Sequence, residues 1–397
     1  MIKHLAKLVW NRRRANFLIA VEIGCSFIVL FVVVAVAVSY AGNYRRPLGF
    51  DYENVWNIEI DMKQRSDNAH TPEQVTTVRQ LYLALKEYPE IEAATGAHTS
   101  PFSANGSYGS LEVNGRELEY RRNEVTDDFN QVLSLTLASG RWFGKEDDGV
   151  NWQPVVINQQ LAQAVFGPED PVGRDLPAPG QQTKLRVIGL ITNFRYGGEL
   201  SGSENLAFFR KQLDQPRERP PRNLLIKLRP QTSRAFDEKL VRRLSGIANQ
   251  WSFDIRPMVE LRETGFRQKL MPLIAAGIVA VFLMIMVALG LTGVLWQNVT
   301  QRTREIGLRR ADGATVWHIY QQILGELLII ASCGLIVGVV VVIQFPLFDL
   351  VGWINREIYA LSIVISLAAI YLLTIVCGLY PSWLAAKVQP AVALRGE

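Results

Sequence analysis

Apolar and polar positions along this chain follow two different regimes. Four blocks are almost wholly apolar: residues 17–40, with an uninterrupted centre from Ile28 to Val38, then 273–296, 319–345 and 360–380. Each reaches the roughly 20 residues a helix needs to cross about 30 Å of hydrocarbon. A soluble core helix of that length would carry a polar face, and these mostly do not. Between the first and second blocks, from about Arg45 to Lys269, the pattern is that of a soluble protein. There, residues 55–60 alternate with strand period, 71–87 open on Thr-Pro-Glu as a capped helix, and 91–97 read as a second strand. Near the far end, 223–228 read as strand, 232–248 as helix and 253–258 as strand. Two βαβ-like units therefore flank an insertion over about 103–196. Its short apolar runs and turn signals at Val113-Asn114-Gly115, Ser139-Gly140-Arg141 and Ala178-Pro179-Gly180 predict a β-rich segment with one helix near 158–166. The expected fold class is a membrane α-helical protein with four transmembrane helices plus an α/β extracytoplasmic domain.

Charge places these elements across the membrane. The chain has 42 Lys and Arg against 37 Asp and Glu, a formal +5. The basic residues gather beside the apolar blocks and form no single patch, which speaks for membrane topology and against nucleic acid. Lys3, Lys7, Arg12, Arg13 and Arg14 precede the first block. Arg302, Arg304, Arg309 and Arg310 lie between the second and third, and Lys387 and Arg395 follow the fourth. The turn between the third and fourth has only Arg356, beside Glu357. The positive-inside rule then gives a cytoplasmic N-terminus (1–16), a span at 17–40 and an external domain at 41–269 ending in a helical stalk at 259–269. A span at 270–297, a cytoplasmic segment at 298–318, a span at 319–345, an external turn at 346–359, a span at 360–380 and a cytoplasmic tail at 381–397 complete it. The first block resembles a signal peptide in its basic flank and in Ser39-Tyr40-Ala41. Its apolar run exceeds the usual 7–15 residues of such a region, so it is read as an uncleaved anchor. Pro47 and Gly49 break the chain soon after this span, whereas 259–269 can continue as helix into the second.

Catalytic chemistry is not evident. Gly144-Lys145-Glu146 lacks the glycine spacing and hydroxyl residue of a nucleotide-binding loop. His4, His70, His98 and His318 are scattered, and no Cys/His cluster offers a metal site. Cys25, Cys333 and Cys377 all fall in apolar blocks and read as buried structural residues. Gly106-Ser107-Tyr108-Gly109 reads as a turn, and the adjacent pairs Asp127-Asp128 and Asp147-Asp148 as solvated turn charges. Glu22 and Glu326 sit near the cytoplasmic ends of their spans, where snorkelling or a helix–helix hydrogen bond accounts for them.

The segment 301–315 stands out because Ile306 and Leu308 alternate with Arg302, Arg304, Glu305, Arg309 and Arg310 before a break at Gly313-Ala314. Read alone, it is a basic interfacial helix on lipid headgroups or a docking helix for a cytoplasmic partner. Thr303-Arg304-Glu305-Ile306-Gly307-Leu308-Arg309 resembles the cytoplasmic signature of FtsX/MacB-type ABC transporter permeases. Arg141-Trp142-Phe143, Pro154 to Asn158, Phe166-Gly167, Pro171 to Arg174 and Val187-Ile188-Gly189 are similar to the MacB-type periplasmic core domain. Tyr380-Pro381 to Ala386 and Pro390 to Arg395 resemble the family's ending.

This resemblance implies a permease in the bacterial inner membrane, acting by mechanotransmission for export or efflux of periplasmic cargo. Arg302, Arg304, Glu305, Ile306, Gly307, Leu308, Arg309, Arg310, Gly313 and Ala314 would couple it to a cytoplasmic ABC ATPase dimer. ATP and Mg would bind that ATPase and no cofactor would bind this chain. A second permease subunit, identical or related, is implied, with a periplasmic adaptor and outer-membrane duct as further partners and lipid around the spans. Asp312 departs from the apolar residue common there, and no nucleotide-binding domain is evident, so the ATPase is expected on a separate chain. Lipoprotein extraction, as in the Lol permeases, and FtsX-like control of cell-wall hydrolases are the alternatives. The large external domain weighs against the last.

Overall fold

The computed structural model describes residues 13–62, 71–103, 105–178, 183–214, 219–233, 235–301, 308, 315–346 and 355–386. In chain order the elements are α1 (Arg13–Tyr44), β1 (Val55–Asp61), α2 (Pro72–Lys86), β2 (Ile91–Ala97), β3 (Ser107–Val113), β4 (Arg116–Val125), α3 (Phe129–Leu133), β5 (Leu137–Gly140), β6 (Gln153–Asn158), α4 (Gln159–Phe166), β7 (Leu185–Ile191), β8 (Leu206–Arg210), β9 (Asn223–Leu228), α5 (Phe236–Ile247), β10 (Ser252–Pro257), α6 (Met258–Gln301), α7 (Val316–Ile343) and α8 (Arg356–Ala386). They divide into two compact units: residues Asn43–Lys269, and Met1–Gly42 with Leu270–Glu397.

Within Asn43–Lys269, a strong local signal starts α2. The Thr71 hydroxyl accepts from the Gln74 amide at 3.3 Å, while Gln74 Oε1 accepts from the Thr71 amide at 3.0 Å. This capping box, with Pro72 in the first turn, satisfies donors that a helix start leaves bare. Val75, Val78, Leu81 and Leu85 then recur at helical spacing and are all buried. α5 starts at Phe236, later than the sequence suggests, because the chain at 229–233 turns first, with Gln231 at φ 73°.

The strand order β10-β1-β9-β2 is antiparallel throughout. β1 and β2 are therefore parallel across an intervening β9, and β9 and β10 are parallel across β1. The two βαβ-like units interleave as a split-βαβ, ferredoxin-like arrangement. α2 and α5 close its apolar core, where Val78, Leu81, Leu240 and Leu244 join Ile58, Leu224 and Ile226.

The sheet continues into the insertion through the Ala97–Val125 bridge, in the order β4-β8-β6-β7-β5, with β3 on β4. β3 and β4 meet at Val113 and Arg116 across Asn114 and Gly115, whose φ values of 53° and 71° define a tight hairpin turn. Three expectations change here. The insertion extends beyond residue 196 to include β8, which lies between β4 and β6. A second helix, α3, joins α4. Gly106-Ser107-Tyr108-Gly109 is not a turn, since β3 begins at Ser107. Rings of Phe129, Trp142, Phe194 and Phe208 fill this part, with Phe208 centroids 5.3–5.6 Å from the other three. Burial of such rings is the main favourable term in the fold.

Four helices of the other unit are long and apolar enough to cross a membrane. Their shared core joins Ile23, Phe27 and Phe31 of α1 to Leu291 of α6, Leu335 of α7 and Ile370 of α8. α1 and α7 approach through glycine. A Cβ on Gly24 would lie 3.1 Å from the Gly334 carbonyl, one on Gly338 would lie 2.7 Å from the Phe27 ring, and one on Gly334 would meet the Ala20 carbonyl. Ser332 Oγ and Tyr371 Oη, 3.0 Å apart, link α7 to α8. The cysteines are not interior: Cys25 and Cys333 are exposed and Cys377 is half-buried. In a span an apolar surface can face lipid as readily as protein, so hydrophobic company did not fix their side. The basic N-terminus to Arg12, most of the 346–359 turn, residues 387–397 and Pro179-Gly180 lie outside the described residues.

Candidate functional site

Of the ten candidate coupling residues, Leu308 alone is described; it is helical and 53% exposed. Arg302, Arg304, Glu305, Ile306, Gly307, Arg309, Arg310, Gly313 and Ala314 lie outside the described residues. Their flanks are defined. α6 runs to Gln301, with the Thr300 hydroxyl donating to the Trp296 carbonyl at 2.8 Å. α7 starts afresh at Thr315, whose side chain accepts from the His318 amide at 3.4 Å and lies 2.6 Å from its Nδ1.

Within the bundle, Glu22 is half-buried beside Gly290, its carboxylate 3.1 Å from where a Cβ would stand. Glu326 is also half-buried and has partners. Among the described residues, the buried polar side chains of this unit are Ser26, Ser39, Ser362, Ser366 and Thr374, none of them charged.

A second feature, missed in the sequence, lies where the chain passes between its two units. It does so twice, at Gly42–Asn43 and at Lys269–Leu270. A loop over 195–201, between β7 and β8, holds the residues on the Asn43–Lys269 side of both passages. Asn43 donates to the Leu200 carbonyl at 3.2 Å. Lys269 donates to the Gly197 carbonyl at 2.7 Å and bonds the Ser201 hydroxyl. Glu199 pairs with Arg262 of α6, whose guanidinium stands 5.1 Å over the Tyr52 ring.

Arg195 is the centre of the loop and is only 1% exposed. Its guanidinium donates to the Arg46 carbonyl at 2.7 Å, to the Ser201 carbonyl at 3.1 and 2.6 Å, and to the Glu199 carbonyl. Its amide donates to the Leu48 carbonyl at 2.9 Å. Burial lowers the pKa of this guanidinium, and Arg46 lowers it further. The cage of carbonyl dipoles answers a charge that would otherwise be costly to bury. Gly49, at φ 87°, passes so near the Asn193 carbonyl that a side chain would collide with it. Gly197-Gly198 and the last cation before an apolar block, Lys269, are the only sequence signals for this arrangement.

Asp127, Asp128 and Asp148 are partly exposed turn charges, as expected, but each is paired, and Asp147 departs from the expectation because it is buried. Asp127 receives two bonds of 2.8 Å from Arg210, which also reaches Asp148 at 2.7 Å. Asp128 bonds Tyr82 and Lys86. Asp147 is buried and accepts from Arg141 at 2.7 and 2.5 Å and from the Gly144 amide at 3.0 Å. Burial alone would raise the Asp147 pKa, but the Arg141 and Gly144 hydrogen bonds outweigh it and hold the carboxyl below its ordinary value. These are structural pairs, each acid answered by a base. Among the described residues no group of His, Cys, Asp and Glu could hold a metal ion.

The MacB-like periplasmic core domain family matches residues 18–243, more than half of the chain, and the FtsX-like permease C-terminal family matches 277–390. The chain belongs to the ABC transporter permeases that join these two regions. Macrolide export ATP-binding/permease protein MacB of Wolinella succinogenes is 27% identical over 287 residues, covering 69% of this chain and 43% of that protein. The pyoverdine export ATP-binding/permease protein PvdT of Pseudomonas aeruginosa is 24% identical, covering 72% of this chain and 45% of its own length. The chain thus spans less than half the length of these curated relatives. The crystallised periplasmic region of MacB from Actinobacillus actinomycetemcomitans overlaps 54% of this chain and 92% of its own. Its identity of 16% and TM-score of 0.40 are too low to carry weight beside the family matches.

Proposed function

We propose that this chain is the permease subunit of an export system and transmits ATP-driven motion from the cytoplasmic side to its large domain outside. The nucleotide-binding sequence, with its ATP and Mg, lies outside these 397 residues. The observation that carries the reading is α6. It begins at Met258, directly after the last strand of the sheet, and stays helical through Lys269–Leu270, with Pro272 inside it, to Gln301 beside the 302–314 segment. At 1.5 Å per residue its 44 residues amount to about 66 Å of helix, in which Pro272 leaves one backbone hydrogen bond unmade. A continuous helix resists bending far better than a loop and suits a lever. Among the described residues the fully buried polar side chains of the bundle are uncharged, with Glu22 and Glu326 half-buried, which favours motion over a polar route for cargo between the helices. Relatives named for macrolide and pyoverdine export support an export role. In this reading the 302–314 segment docks on an ABC ATPase dimer, the permease pairs with a second copy or a related subunit, and an adaptor and outer-membrane duct complete the route.

The docking assignment is tested by replacing Glu305 and Arg309 together with Ala. Co-purification with the ATPase is expected to fall by about tenfold or more, the scale of losing one buried charge-assisted contact, while membrane insertion stays intact. Undiminished recovery of the ATPase would refute it.

A further inference from the structure

The chain passes between its units at only two places, and one loop grips the residues on the domain side of both. We propose that the 195–201 loop is a latch that makes these two passages move as one and delivers their motion to the insertion; this rests on the transmission reading above. Three features support it.

First, the loop's bonds to the passages differ in kind from those within a rigid core. Asn43 and Lys269 each reach it through the tip of one side chain, and what they hold are mainly backbone carbonyls, of Leu200 and Gly197. Such contacts can be exchanged for water at modest cost, so the grip is reversible.

Second, Arg195 ties the loop to itself and to the first passage together. It holds the Ser201 and Glu199 carbonyls on one side and the Arg46 carbonyl on the other, while its amide holds Leu48. Displacing either end strips carbonyls from a guanidinium that is only 1% exposed. The two ends are thereby favoured to stay or go together.

Third, the loop leads directly into the insertion core. Phe194, immediately before Arg195, stacks on Phe50 at 4.5 Å and sits 5.3 Å from Phe208 of β8. Tyr196, immediately after, is buried, hydrogen-bonded to Thr99 and Asn123, and its carbonyl accepts from the Phe102 amide at 2.8 Å. Movement of the loop cannot leave these groups in place.

Hydrogen exchange on the full chain in lipid nanodiscs tests the latch without the ATPase. Lys269→Met removes one donor on the second passage and keeps the aliphatic stem. It is expected to speed exchange at the Gly198 and Ser201 amides by about threefold or more, and to speed it likewise at Arg46 and Arg195, on the first passage and in the cage. Asn43→Ala, at the opposite end, gives a second entry and should loosen the same amides. Faster exchange confined to the neighbourhood of the substituted residue, in either variant, overturns the proposal. A second arm uses the co-purified ATPase. ATP should change exchange at Arg195 and Phe102 in the unaltered protein and much less in Lys269→Met; equal responses also overturn it. Failure to recover any ATPase counts against the transmission reading, while the first arm still decides the latch.

Discussion

His98 follows β2 at the junction of the two halves of the sheet, where its amide donates to the Glu124 carbonyl at 2.9 Å. Burial lowers its pKa below 6.5; Glu124 opposes that shift, and Arg219, Arg222 and Lys211 add to it. The folded state therefore binds fewer protons than the unfolded chain below the ordinary histidine pKa. The resulting stability is complete above about pH 6.5 and is lost as the pH falls from there toward the folded value. Thermal unfolding should come earlier at pH 5.5 than at 7.5, by about 2–4 °C for each kcal/mol lost in a domain of this size. His98→Gln should remove that part of the pH dependence; an unchanged slope would assign it to other groups. Arg141 supports a second prediction. Arg141→Ala leaves the buried Asp147 carboxylate with the Gly144 amide as its remaining hydrogen-bond donor. Because Arg141 itself is 40% exposed, screening reduces the loss to about 1–2 kcal/mol, read from denaturant unfolding. Neither pairing was legible from the sequence. Arg141 stands six residues from its acid, but Arg210 stands more than sixty from Asp148 and more than eighty from Asp127, and only the sheet brings them together.

At the scale of elements, legibility followed length and period. The spans and the strand–helix–strand runs at both ends of the external domain were readable because each repeats one spacing over many residues. β8 was not, since Leu-Ala-Phe-Phe in a fully buried strand has no alternation to show. α3 has five residues, too few for a helical period to register. The interleaving of the two βαβ-like units depends on strand pairing across more than 130 residues, to which local spacing is blind. The approach of α1 to α7 did leave a trace, Gly334 and Gly338 four residues apart, a spacing that lets two helix backbones touch in a membrane. The contacts advance together along both helices, from Ala20 at Gly334 to Phe27 at Gly338, so the pair is parallel. Gly334→Leu would drive a side chain into the Ala20 carbonyl and the Ile23 side chain. It should destabilise the bundle by about 1–3 kcal/mol, the usual cost of overpacking, and lower the yield of folded protein in detergent. Gly277→Leu, where a Cβ meets nothing within 4 Å, is the matched control and should have little effect.

For the whole molecule, the parallel α1–α7 pair constrains topology independently of charge. Two parallel spans separated by one other span require that the chain cross, return and cross again, which alternating spans satisfy. The direction of that alternation rests on the distribution of Lys and Arg. Basic residues resist translocation, and the segments at 1–16, 298–318 and 381–397 hold them while the 346–359 turn has one beside an acid. Direction matters mechanically, because the lever reading needs the coupling segment and the sheet on opposite sides of the bilayer. A background with Cys25, Cys333 and Cys377 replaced by Ser gives a clean measure. There, Ser107→Cys should react with an impermeant maleimide added outside the inner membrane, and Thr303→Cys should react only after permeabilisation. The reverse pattern would turn the molecule over. Labelling of both from outside would place sheet and coupling segment together, and α6 could then no longer serve as a rod between two compartments.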